Sequence, residues 1–194
     1  MKQYGKDIKF LYWTLVGSLF FMAFLHILNP LIQPPAPDMP PQEKIEAVTR
    51  QIVTMRASEV APLLRPQNQK NTFVFVYASW CAYCRQVMPD LVDLSRRGDL
   101  SHVNLLFLSI DNRQLKLATY IAQYGYQDSF TPYMVKGSAV NSLENVLSAT
   151  GATYRGAIPY MAVVSPAGRV LGEEIGLVTS SRIRDLASLR ADAQ

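Results

Sequence analysis

Apolar positions along the chain follow three periods. Residues 10–28, from Phe10 to Leu28, form one apolar run without a charged side chain. At 1.5 Å per residue such a run spans the ~30 Å hydrocarbon core of a bilayer as a single helix. Short, nearly continuous runs at Thr72 to Ala78 and Val103 to Ile110 predict strands buried on both faces. Spacings of three and four predict amphipathic helices over 43–57 (Ile45, Val48, Ile52, Met55), 81–97 (Val87, Met88, Leu91, Leu94) and 180–190 (Ile183, Leu186, Leu189). A further helix opens at Asp111 and Asn112, with Leu115, Leu117 and Ile121 in its stripe, and ends near Gly125. Ser129 to Lys136 reads as a short strand and Ser138 to Thr150 as a helix. Tyr160 to Ser165, a Pro166-Ala167-Gly168 turn and Arg169 to Ile175 read as an antiparallel hairpin at a sheet edge. On it, Glu173 and Glu174 are expected to protect the edge, and Arg96 and Arg97 to cap the helix of 81–97. The stretch from Ser58 to Asn71, interrupted by Pro62 and Pro66, carries no clear period.

Flanking residues orient the first run. Lys2, Lys6 and Lys9 precede it, and no basic residue follows from Asn29 to Gln42, so residues 1–9 are expected in the cytoplasm. A cleaved signal peptide is the competing reading, but it wants a shorter apolar region and a small-x-small site, and Asn29-Pro30 follows instead. Residues 29–42 hold six prolines, which favour an extended stalk of roughly 40 Å at ~3.1 Å per residue. The expected organisation is therefore a cytoplasmic N-terminus (1–9), a transmembrane helix (10–28), a Pro-rich linker (29–42) and one α/β domain (43–194). Charge adds little: three of the 19 basic and one of the 15 acidic residues lie in the first 28, leaving 16 against 14. That balance gives nucleic-acid binding no support.

Candidate chemistry sits where the strand of 72–78 becomes the helix of 81–97, at Trp80-Cys81-Ala82-Tyr83-Cys84. Residues i and i+3 on one helical turn are close enough for a disulfide to open and close. Cys81 would lie at the helix N-terminus, where free N–H groups and the dipole favour a thiolate; it is the expected nucleophile and Cys84 the resolving thiol. Zinc needs more ligands than two cysteines and the distant His26 and His102 supply, so no metal is expected. Covalent haem needs histidine where Arg85 stands. A permanent structural disulfide is the plain alternative.

The segment Val76 to Cys84 resembles the thioredoxin signature, and more closely the membrane-anchored thioredoxins of the bacterial envelope, the TlpA-like family. Pro89 matches the proline that kinks that superfamily's active-site helix. Tyr154 to Pro159 is similar to the segment before its cis-proline, so the resemblance implies a cis Ile158-Pro159 bond packed against the active-site disulfide. It implies a thioredoxin-like fold, a mixed sheet flanked by helices, with the strand and helix of 129–150 as an insertion. Two departures stand out: Phe75 replaces thioredoxin's buried aspartate, and Val87 the glutamate of several envelope relatives. The resolving thiol must then lose its proton elsewhere.

The implied activity is thiol–disulfide exchange with protein substrates, without a cofactor beyond the Cys81–Cys84 couple. Trp80, Tyr83, Ile158 and Pro159 are expected to form the apolar rim that docks the substrate. The implied setting is the inner membrane, single-pass, with the domain on the periplasmic side. A reductase would draw electrons from a DsbD-like partner, and an oxidase would pass them to a DsbB-like one. Reduction is the favoured direction; a tethered binding or assembly factor that does not use its cysteines is the reading from another class.

Overall fold

In a computed structural model, residues 16–18, 39–136 and 139–190 are described. Residues 16–18 are helical; the rest of the expected membrane helix, and residues 29–38 of the linker, lie outside the described residues. No helix among the described residues is long and apolar enough to cross a membrane.

Residues 39–194 form one compact unit built on a six-stranded mixed sheet. Its elements are α1 (Gln42–Gln51), β1 (Val53–Arg56), β2 (Thr72–Tyr77), α2 (Ala82–Arg96), β3 (Asn104–Ser109), α3 (Gln114–Tyr124), β4 (Pro132–Lys136), α4 (Ala139–Ser148), β5 (Tyr160–Val164), β6 (Val170–Ile175) and α5 (Ser180–Ala187). The strand order is β1-β4-β3-β2-β5-β6. The first four in that order are parallel, and β5 and β6 are antiparallel to their neighbours. The expected insertion is present: β4 pairs with β3 on one side and β1 on the other, and α4 follows it.

β2 is the central strand, and every one of its residues is buried. Alternation divides its side chains between two cores. Phe73, Phe75 and Tyr77 pack with Ile45 and Val48 of α1, Leu91 of α2, Ile121 of α3 and Ile183 of α5. Val74 and Val76 pack on the other face with Leu143 and Leu147 of α4, and with Tyr154 and Tyr160. A strand covered on both faces has no use for polar side chains, which is why its sequence reads as a continuous apolar run.

Several expectations are corrected. The helix predicted over 43–57 stops at Gln51, and Val53–Arg56 is a strand paired in parallel with Tyr133 to Lys136 of β4. Met55 therefore packs on the core around α4 and does not extend the α1 stripe. Pro40 is already buried and Gln42 opens α1. The segment without period, 58–71, contains 3-10 turns at Ala57–Glu59 and Ala61–Leu64 that bury Val60 and Leu64.

Leu115 is 60 % exposed on α3, whereas Leu117 and Ile121 are buried. Asp111 does not cap α3, whose N-cap is Arg113. Gly125, at φ 67°, closes that helix in the left-handed conformation that glycine adopts at least cost. Arg96 serves this same end, donating to the Gly125 carbonyl at 2.7 Å, while Arg97 pairs with Asp93 and Asp99. Arg97 is nonetheless the C-cap of α2, its backbone N–H donating to the Asp93 carbonyl at 3.0 Å, so it closes that helix through its main chain while the Arg96 side chain reaches across to α3. Nor are the β6 glutamates simple edge charges: Glu174 pairs with Arg182, and Glu173 takes hydrogen bonds from Thr153 and Tyr160.

Candidate active site

β2 ends at Tyr77, and after four residues, 78–81, the chain enters α2 at Ala82. Cys81 is the N-cap, in extended conformation, with its backbone N–H donating to the Ala78 carbonyl at 3.1 Å. It is joined to Cys84 by a disulfide with Cα atoms 5.2 Å apart. The Cys84 backbone N–H donates to Cys81 Sγ at 3.1 Å, so the sulfur takes the place of the side-chain oxygen that usually caps a helix. Cys81 is 7 % exposed and Cys84 fully buried. Of the two, only Cys81 keeps any exposure to solvent.

The Ile158-Pro159 bond is cis, as the resemblance implied. The Ile158 carbonyl oxygen lies 3.8 Å from Cys81 Sγ, and the Pro159 carbonyl accepts from the Gly176 N–H at 2.8 Å. Ile158 is half-buried between the two cores and Pro159 is buried. Trp80 and Tyr83, on either side of Cys81, are 59 % and 58 % exposed. Of the six residues expected at the site, the disulfide joins two, the Ile158 carbonyl meets Cys81, and Pro159, Trp80 and Tyr83 follow a neighbour in sequence. Pro89 interrupts α2 from within, its ring excluding the hydrogen bond to the carbonyl four residues back.

Phe75 and Val87 stand where relatives carry an acid. Phe75 stacks on Tyr77 at 5.4 Å and meets Phe107 edge-on at 5.7 Å. Val87 is buried. The Tyr77 hydroxyl is buried with no hydrogen-bond partner among the described residues, and burial pushes its phenol well above the ordinary value.

Two polar clusters brace the site that sequence reasoning did not assign to it. Asp111, at the end of β3, accepts from the Ser79 N–H at 2.8 Å, the Ser79 hydroxyl at 2.7 Å and the Ser109 hydroxyl at 2.7 Å, all buried. Arg85 Nε then donates to the Ser79 carbonyl at 2.8 Å. The turn carrying Trp80 and Cys81 is thus held on its N-terminal side by a buried carboxyl group. Beyond Pro159, the Tyr160 hydroxyl donates to Glu173 at 2.6 Å, and Thr153 adds its N–H at 2.9 Å and its hydroxyl at 2.6 Å. Burial raises the Glu173 carboxyl, but these bonds and nearby Arg155 outweigh it and hold the group below its usual range. The only available signal for Asp111 was its place at the carboxyl end of a parallel strand next to the one bearing Cys81. No cluster of His, Cys, Asp and Glu able to hold a metal occurs among the described residues.

No curated protein sequence matches the chain. Similar solved structures include a thiol:disulfide interchange protein of Chlorobium tepidum TLS, at 18 % identity over 66 % of this chain and 81 % of that one, with a TM-score of 0.50. StoA from Bacillus subtilis is similar at 15 % identity over 63 % of this chain and 86 % of that one, with a TM-score of 0.48. At such identities the likeness is one of fold. The thioredoxin-like family matches directly over residues 68–170, from the approach to β2 through the cis-proline into β6. More than half the chain is covered, and the Cys81–Cys84 couple falls inside the match, so the chain belongs to the thioredoxin-like family of thiol–disulfide oxidoreductases.

Proposed function

We propose that this protein is a membrane-tethered oxidoreductase of the TlpA-like kind that reduces disulfides of envelope proteins on the periplasmic side of a bacterial inner membrane. Residues 1–9 are cytoplasmic, 10–28 span the membrane, 29–42 form the stalk and 43–194 the catalytic domain. The tether rests on the uncharged run of 10–28, with lysines before it and prolines after. Disulfide chemistry persists in that compartment.

The observation that carries the chemistry is the asymmetry of the couple, with one sulfur at a helix N-terminus near the surface and the other wholly buried. In the reduced enzyme the Cys81 thiolate attacks one sulfur of a substrate disulfide. The other substrate sulfur leaves and takes up a proton. Cys84 then gives up its proton and attacks Cys81 Sγ, releasing the second substrate thiol and leaving the Cys81–Cys84 disulfide. Two electrons have passed to the substrate, and a DsbD-like membrane donor returns two. Trp80, Tyr83, Ile158 and Pro159 dock the substrate chain; the Ile158 carbonyl beside Cys81 is an acceptor for its thiol.

The reduction potential of the couple, measured in glutathione and dithiothreitol buffers, tests the direction. A value near or below about −250 mV is expected of a reductase. A value near about −120 mV would reverse the assignment, to a dithiol oxidase served by a DsbB-like partner.

A further inference from the structure

Trp80 and Leu115 are among the most exposed large apolar side chains of the described residues. Both line one cavity of about 340 Å³ between the start of α2 and α3, together with Thr119 and Tyr120. The charged residues on it are Arg85 and Lys116, and no carboxylate lines it. Neither cation forms an ion pair among the described residues. Asp111 does not neutralise them by contact, since its oxygens accept from Ser79 and Ser109. Arg85 is held in place, its Nε on the Ser79 carbonyl at 2.8 Å and its guanidinium 5.9 Å from the centre of the Tyr120 ring. A guanidinium already fixed in this way loses little further freedom on meeting a carboxylate.

We propose that this cleft is a specificity subsite for the substrate polypeptide, taking an acidic residue on Arg85 and Lys116 and an apolar neighbour against Trp80 and Leu115. The proposal rests on the substrate-reducing reading above. Trp80 precedes Cys81 directly, so the cleft lies within reach of the chain flanking the attacked cysteine. An extended chain advances about 3.4 Å per residue, so residues two to four positions from that cysteine sample a span of about 7 to 14 Å along the surface beside Trp80, and the acidic residue is sought there. Preferred substrates are therefore protein disulfides with Asp or Glu at that distance. Cations beside the site also oppose docking of a basic segment.

The test uses the reduced full chain in detergent and seven-residue peptides, each with one cysteine in a disulfide with thionitrobenzoate. Glu, Gln or Lys is placed two or four residues from the cysteine on either side, and single-turnover release of thionitrobenzoate is followed. At one of these placements the Glu peptide should react about fivefold faster than the Gln peptide, the scale of one or two exposed ion pairs, and the Lys peptide slowest. The Glu-to-Gln ratio should approach one in the Arg85→Gln, Lys116→Gln double variant and at high salt, and be partly kept in Arg85→Lys. Both exchanged residues are exposed, and Lys116→Gln alone should already lower the ratio.

Equal rates for the Glu and Gln peptides at every placement would overturn the subsite and leave the reductase reading standing. A ratio that survives the double variant would place the recognition outside this cleft. Self-association of the chain that Leu115→Glu abolishes would put a second copy in the cleft and also overturn the assignment. Absence of release from any peptide would remove the reductase reading, and the subsite with it.

Discussion

Glu173 joins two segments that bear on the active site from outside it: Thr153 before the cis-proline, and Tyr160 immediately after. Glu173→Gln should lower stability at pH 7 by about 1 to 3 kcal/mol, since three donors lose a charged acceptor. The carboxyl is held below its unfolded value, so its contribution is present above that value, near 4.5, and is lost as pH falls through the folded one. Urea unfolding at pH 7 and at pH 4 should therefore show the difference between wild type and variant shrinking on acidification. A difference constant with pH would show that the ionised carboxylate is not what matters. Glu173 and Asp111 were not legible as site residues, because an isolated acid in a sequence does not reveal which donors the fold will bring to it. Cys81 and Cys84 were legible because their partner is three residues away on one helical turn.

Elements with a strong period of their own were read correctly, and β1, whose short pattern also fits a helix, was not. α2, with a stripe at helical spacing, an N-terminal cysteine cap and a glycine just beyond its end, was placed to within a residue. β1 is four residues long with only its middle pair half-buried, and its reason for being a strand is β4, far along the chain. Read locally, Ile52 and Met55 simply continue the helical spacing of Ile45 and Val48. The end of α3 is the clearest case of an element fixed by one residue, Gly125 at positive φ with Arg96 on its carbonyl. Gly125→Ala should cost about 1 kcal/mol through the left-handed conformation alone. Arg96→Ala should cost less, because that bond is exposed; the two are ranked by their denaturant midpoints.

At the scale of the whole molecule, the thioredoxin-like domain and the apolar N-terminal run make separate claims. The run of 10–28 should hold the protein in the membrane fraction through an alkaline carbonate wash, and removing residues 1–28 should release it in soluble form. Release of the intact chain by carbonate would argue against a spanning helix. The domain was legible as a whole because alternation of strand and helix, with two strands apolar throughout, leaves few ways to bury both faces of a sheet.

The sheet order also sets a timetable. Val53 at the start of the domain finds its strand partner, Tyr133, only after β2, α2, β3 and α3 have passed, because β4 lies between β1 and β3. A chain that emerges N-terminus first can pair β2 with β3 early, but β1 must wait, and closing so long a loop is slow. The cysteines thus emerge well before the sheet around them is complete. On the periplasmic placement proposed above, they would meet oxidants while Cys84 is still unburied, and the short Cys81–Cys84 pairing would be the one that competes best against wrong partners.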